Sequence, residues 1–154
     1  MNKKLYIILG PTSSGKTSLS IDLCKKFNGQ IISADSRQLF KYMDIGTGKV
    51  PINSPYSIVK KDQVWTFDNV NIWGYDLIKP GEYYSGYDFA MYALNKAQQL
   101  MDKGITVFLV GGTGFYIDIF TKRVIPSNII PDFELRKKLN TLNFSKYIIL
   151  INLI

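Results

Sequence analysis

Gly10-Pro11-Thr12-Ser13-Ser14-Gly15-Lys16-Thr17 decides how the rest of the chain is read. The octapeptide satisfies G-x-x-x-x-G-K-[ST] in full, a pattern whose glycines let the backbone wrap closely enough for its N–H groups to converge on phosphate oxygens. Lys16 adds a fixed positive charge, and the Thr17 hydroxyl is a candidate Mg²⁺ ligand. The flanks agree with this. Leu5–Leu9 is a continuous apolar run, as expected of a parallel strand buried on both faces. A helix is predicted over 16–27, with Leu19, Leu23 and Phe27 on one apolar face and Asn28-Gly29 as its stop. Its N-terminus contributes further partial positive charge. Residues 1–20 therefore predict a grip on a diphosphate- or triphosphate-bearing ligand.

Working outward, Gln30–Ala34 reads as a second short strand that ends at Asp35. Asp68-Asn69 can turn a hairpin between 64–67 and 70–73. Ser85 to Asp102 predicts a long helix: Ser85 and Asp88 have the spacing of a capping box, Phe89, Ala93, Ala97, Leu100 and Met101 share a face, and Gly104 stops it. Ile105–Val110 is another buried-strand candidate and runs into Gly111-Gly112-Thr113-Gly114. Pro131 starts a short basic helix through Leu139, and Tyr147–Ile151 reads as one more strand. Strands separated by helices or long connections predict an α/β fold, a three-layer P-loop NTPase-like domain with a mainly parallel sheet over 1–154. Ligands of such sheets bind beyond the carboxyl ends of the strands. Gly10, Asp35 and Gly111 each follow a strand and are expected to crowd one edge.

Composition narrows the chemistry. Nineteen Lys plus Arg against twelve Asp plus Glu give a net charge of +7, which favours anionic partners. Histidine is absent, which removes Ser-His-Asp and Cys-His catalysis and most zinc sites. A single cysteine, Cys24, cannot form an intramolecular disulfide and sits in an apolar helical pattern, so it reads as core filler in a reducing compartment. No signal-peptide pattern and no apolar run of membrane-spanning length occur, so a cytoplasmic protein is expected.

Asp35 lies in Ser33-Ala34-Asp35-Ser36-Arg37-Gln38. A carboxylate at a strand end beside bound phosphates can orient a nucleophile or accept its proton; an Asp-Ser pair can equally cap the next element. Spacing alone leaves both readings open. Hydrolases of this class carry an acidic residue at the end of a third apolar strand, holding Mg²⁺ and its water. Here Val107–Val110 leads instead to Gly111-Gly112-Thr113, which weakens the case for nucleotide hydrolysis.

Four motifs in this order resemble the bacterial-type tRNA dimethylallyltransferases: Gly10–Thr17 with its Pro-Thr-Ser-Ser interior, Ser33–Gln38, Met43-Asp44-Ile45-Gly46-Thr47, and Val110-Gly111-Gly112-Thr113-Gly114. Tyr84-Ser85, Asp88-Phe89 and the segment from Asp132 to Arg136 fit as well. The resemblance implies transfer of a dimethylallyl group from its diphosphate to the exocyclic amine of the adenosine 3′ of the anticodon in tRNA, with Mg²⁺ as cofactor. Gly10, Pro11, Thr12, Ser13, Ser14, Gly15, Lys16 and Thr17 would then hold the diphosphate, and no water would need activating. Asp35 would bind the adenine amine and take its proton. Asp35, Ser36, Arg37 and Gln38, with Thr113 and Arg136, would contact the tRNA anticodon loop. The expected state is a monomer.

The chain departs from the family pattern in three places. Gly48 replaces the usual alanine, the stretch 70–77 lacks the usual histidine, and the chain is much shorter than family members. A Gln-Arg-rich motif that helps bind diphosphate and tRNA lies downstream in the family, together with helices that complete its core, so the domain is expected to be truncated at its C-terminus. Two other functions compete. A small-molecule or nucleotide kinase on the same scaffold would consume ATP. A non-catalytic nucleotide- or RNA-binding remnant would bind ligand without forming product.

Overall fold

A computed structural model of the chain describes residues 4–50, 54–125 and 131–141. Its elements run β1 (Leu5–Leu9), α1 (Lys16–Phe27), β2 (Gly29–Ser33), β3 (Ile58–Lys61), β4 (Val64–Phe67), β5 (Val70–Trp73), α2 (Gly86–Asp102), β6 (Thr106–Gly111), α3 (Gly114–Phe120) and α4 (Phe133–Asn140). The strand predicted over 147–151 lies outside the described residues.

The strands form one sheet in the order β1-β6-β2-β5-β4-β3. The first four are parallel, and β4 and β3 extend the sheet antiparallel. Alternation along the central strands divides the interior in two. Ile32, Val107 and Leu109 join Phe89, Ala93, Ala97 of α2 and Tyr116, Ile117 of α3 on one face. Ile31, Phe108 and Val110 meet Ile21 and Cys24 of α1 and Trp65, Phe67 and Ile72 of the hairpin strands on the other. Helices therefore cover both faces, giving the expected three layers.

The predicted hairpin forms because Asp68 and Asn69 adopt φ of +45° and +70°, the left-handed pair that a two-residue turn matched to strand twist demands. The capping box at Ser85 is complete: its hydroxyl accepts from the Asp88 amide, and the Asp88 carboxylate accepts from the Ser85 amide at 2.8 Å. At α4, the Asp132 carboxylate caps the helix by accepting from the Leu135 amide at 2.8 Å.

Two expectations about burial are corrected. β1 is not covered on both faces; it is the sheet's outer parallel strand among the described residues, and Tyr6, Ile7 and Leu9 are exposed. In α1 only Leu23 of the predicted apolar face packs against the core. Leu19 and Phe27 are 53% and 50% exposed, while Ser20, Ile21 and Cys24 face the sheet. Ser20 tolerates burial because its hydroxyl donates to the Lys16 carbonyl at 2.5 Å, leaving no unsatisfied polar group.

Burial also governs the lone thiol: desolvation pushes Cys24 up to about 12. Native protein at pH 8 should be alkylated by iodoacetamide at least ~100-fold more slowly than denatured protein, since the thiolate is the reactive species. Mass spectrometry of timed aliquots reads this directly, and equal rates would show that Cys24 is not buried.

Gly111 is where the fold touches the site. A Cβ there would lie 2.1 Å from the Ala34 carbonyl oxygen, because the ends of β2 and β6 converge through the Ala34 N–H···O Val110 hydrogen bond of 2.7 Å. Gly111→Ala must push these strand ends apart. We expect a loss of about 1–3 kcal/mol, the usual cost of overpacking, measured by denaturant titration. An unchanged midpoint would contradict the close approach.

Candidate active site

The carboxyl ends of the parallel strands open onto a cavity of about 650 Å³. Residues 12–18 line one side; Asp35, Gln38, Val110 and Gly111 come from the strand ends; Asp44–Gly48 and Val50 complete the lining. The edge predicted from the sequence is thus assembled.

The glycine loop is held open by left-handed residues, Ser13 at φ +63° and Gly15 at φ +80°. The first turn of α1 has no side-chain cap and no acidic residue. Its N–H groups are left as donors for an anion, reinforced by the helix dipole. Lys16 folds back over its own loop, donating from Nζ to the Pro11 carbonyl at 2.5 Å and to Ser14 Oγ at 3.4 Å. Both partners are exposed and replaceable by phosphate oxygens.

Asp35 follows β2, its side chain 16% exposed. Its Oδ1 accepts from the Arg37 amide at 3.0 Å, with the Arg37 Nε 3.8 Å away. The capping role that the sequence left open is therefore partly realised, by one oxygen. Oδ2 has no hydrogen-bond partner among the described residues and remains available to a ligand proton.

Around this carboxylate the residues brace one another. Arg37 reaches across to the glycine loop, donating to Thr12 Oγ1 at 3.2 Å. Thr113 Oγ1 accepts from the Ser36 amide at 3.1 Å. Gln38 is buried, accepting from Ser33 Oγ at 2.6 Å and donating to the Thr47 carbonyl at 3.2 Å. Of the positions predicted to meet RNA, Asp35 and Gln38 line the cavity, whereas Ser36, Arg37 and Thr113 flank Asp35 without lining it. Arg136 is not brought to the cavity; it lies on the exposed surface of α4, a helix that leans on the rest through the Phe133–Tyr83 ring contact at 5.2 Å.

Sequence reading missed the depth of the loop that starts at Asp44. Lys49, just beyond it, is wholly buried, and Asp44 pairs with both Lys60 and Lys49, at 2.6 and 3.3 Å. The Lys60 hydrogen bond, then Lys49, hold the Asp44 carboxyl below its ordinary range. A lowered carboxyl keeps its contribution above the unfolded value of 3.8 and loses it only as pH falls through the lower folded value. The loop's ionic link should therefore be constant across neutral pH and release only in acid.

No three His, Cys, Asp or Glu side chains gather into a metal cage among the described residues. Mg²⁺ needs no such cage: it keeps several waters and takes few protein oxygens beside substrate phosphates. The Thr17 hydroxyl, lining the cavity beside the glycine loop, is a donor of that kind. No helix among the described residues is long and apolar enough to cross a membrane.

A phosphate-cradling loop, an uncapped helix start and a strand-end carboxylate on one cavity define a P-loop α/β protein. Comparison with known proteins refines this. Residues 38–148 match the IPP transferase family and residues 3–68 the isopentenyl transferase family. The chain is 42% identical over 135 residues to the tRNA dimethylallyltransferase of Pseudothermotoga lettingae, covering 88% of this chain and 39% of that protein. It is 42% identical over 139 residues to that of Thermosipho melanesiensis, covering 90% and 42%. The crystal structure of the full-length tRNA isopentenylpyrophosphate transferase from Bacillus halodurans superposes with a TM-score of 0.69 at 34% identity, covering 90% of this chain and 42% of that one. The chain belongs to the IPP transferase family. It spans about two-fifths of the length of these relatives.

Proposed function

We propose that this chain carries the catalytic core of a tRNA dimethylallyltransferase, moving a dimethylallyl group from dimethylallyl diphosphate to the exocyclic amine of the adenosine 3′ of the anticodon. The observation that carries the proposal is the placement of a free Asp35 carboxylate oxygen and the glycine loop on one cavity, with Val110 and Gly111 where a hydrolase needs an acidic residue. That combination suits a nucleophile that brings its own N–H proton and a leaving group that departs as diphosphate.

In the reaction the carbon–oxygen bond of the allylic diphosphate breaks as the carbon–nitrogen bond forms. Backbone N–H groups of 12–17 and the Lys16 ammonium stabilise charge growing on the diphosphate. Asp35 accepts a hydrogen bond from the amine and takes its proton. Thr17 would hold Mg²⁺, which supplies further charge neutralisation at the diphosphate. The target base must leave its stack to reach the cavity. We assign Asp35 to Gln38, with Thr113 and Arg136, to the RNA side. Arg37 and Thr113 serve it at least by fixing the Asp35 turn. This reading places the protein with tRNA in the cytoplasm.

Replacing the target adenosine by inosine, which lacks the amine, tests the assignment. Labelled dimethylallyl diphosphate should mark an anticodon stem-loop carrying adenosine and leave the inosine version unlabelled. Equal labelling of both would remove the amine as acceptor. Phosphate transfer from ATP in place of prenyl transfer would support the kinase reading.

A further inference from the structure

The loop that walls the cavity across from the P-loop is pinned at Thr47, whose hydroxyl donates to the Met43 carbonyl at 2.7 Å and whose carbonyl accepts from Gln38, and at Asp44 by the exposed Lys60. Gly46 and Gly48 sit at φ +76° and +72°, Tyr42 at +65°, and Ile45 is 97% exposed. Yet the loop closes on a fully buried cation. Lys49, 0% exposed, donates to the Phe40 carbonyl at 2.7 Å, to Asp76 Oδ1 at 2.6 Å and to Asp44 Oδ1 at 3.3 Å. Its three donors join the segment before the loop, the loop's own Asp44, and the turn after β5. The anchor is itself fixed: Asp76 Oδ2 accepts from Trp65 Nε1 at 2.6 Å, and the Tyr75 hydroxyl donates to the Lys49 carbonyl at 3.2 Å. Phe40 is held beside Ile78 by a parallel bridge.

Burying a charge is a poor way to gain stability, because a buried ion pair is often matched or bettered by apolar side chains of the same volume. What such a pair can supply instead is a fixed geometry for groups distant in sequence. We propose that Lys49 is a positioning residue: through its contacts to Phe40, Asp44 and Asp76 it sets the wall formed by Asp44–Gly48, and so the fit of the substrate's hydrocarbon group. The inference rests on the prenyl-transfer reading above. With the diphosphate on residues 12–17, Gly46, Gly48 and Val50 offer the hydrocarbon part of an allylic diphosphate a wall in the same cavity. Lys49 touches none of that space itself and acts through the loop.

The test compares the full chain with Lys49→Met and Lys49→Met/Asp76→Asn. Thermal unfolding, hydrogen–deuterium exchange over 42–48, and affinities for inorganic diphosphate and for an unreactive sulfur-bridged analogue of dimethylallyl diphosphate are measured. The single variant should unfold at lower temperature, because Asp76, its side chain only 15% exposed, is left without its cation. The double variant should regain most of that loss. In the double variant exchange over 42–48 should still be about tenfold faster, and analogue affinity about tenfold weaker, with diphosphate affinity within about twofold of the parent. Recovery of exchange protection and analogue affinity along with stability would overturn the proposal, leaving Lys49 a structural ion-pair partner only. A parent chain that binds the analogue no better than inorganic diphosphate would overturn the prenyl-substrate reading and the hydrocarbon part of this inference. Faster exchange in the double variant would even then support Lys49 as the loop's anchor.

Discussion

Asp35→Ala is expected to slow dimethylallyl transfer by about 10²–10⁴-fold, the range for removal of a positioned general base. Diphosphate binding should stay close to that of the parent. The separation follows from the geometry. Asp35 leaves β2 on the side of the cavity supplied by strand ends, and none of its hydrogen bonds is made to residues 10–17. Among the described residues, the side-chain hydrogen bond from Arg37 to Thr12 is the one that links the Asp35 turn to the loop. Asp35→Asn refines the test, since the amide can still accept from the Arg37 N–H and preserve the turn while losing basicity. Comparable losses in the two variants point to proton acceptance. Near-normal transfer by either would remove Asp35 as the base.

Lys16→Ala should act on the opposite side of the cavity, weakening binding of inorganic diphosphate and slowing transfer together. A charge-assisted contact to the departing group contributes on the order of 10²–10³-fold to the rate. Lys16 currently satisfies itself on Pro11 and Ser14, so its removal leaves no buried donor or acceptor unpaired. The unfolding temperature should therefore hold while affinity falls. Calorimetric titration with diphosphate, paired with thermal unfolding, reads both. Unchanged diphosphate affinity would mean that the loop is not the phosphate site.

The glycine loop, the hairpin at Asp68-Asn69 and the capping box at Ser85 were legible because each depends on residues within a few positions of one another. Backbone conformation there is a local property. Burial was less legible. The spacing of Leu19, Leu23 and Phe27 is as apolar as that of Ser20, Ile21 and Cys24 is mixed, but the side of α1 that meets the sheet is decided by how the strands lie beneath it. β1 likewise reads as a buried strand from composition alone, whereas its neighbours determine which faces are covered. The cavity's far wall was hidden for a related reason. A lysine in sequence is a surface residue by default, and only the path through β5 brings Asp76 to Lys49 and seals it from water. Asp35 lay between these extremes: its position after a strand was readable, but not that one oxygen caps the turn while the other stays free.

Transfer of label discriminates most directly between a prenyl-transferring P-loop and a phosphoryl-transferring one. The chain is incubated with Mg²⁺, an adenosine-containing anticodon stem-loop, carbon-14 dimethylallyl diphosphate and γ-phosphorus-32 ATP together, and both labels are followed. Carbon-14 is expected in the RNA, bound at the adenine amine, with ATP left intact. Phosphorus-32 moving to an acceptor while no carbon-14 enters the RNA would contradict this expectation.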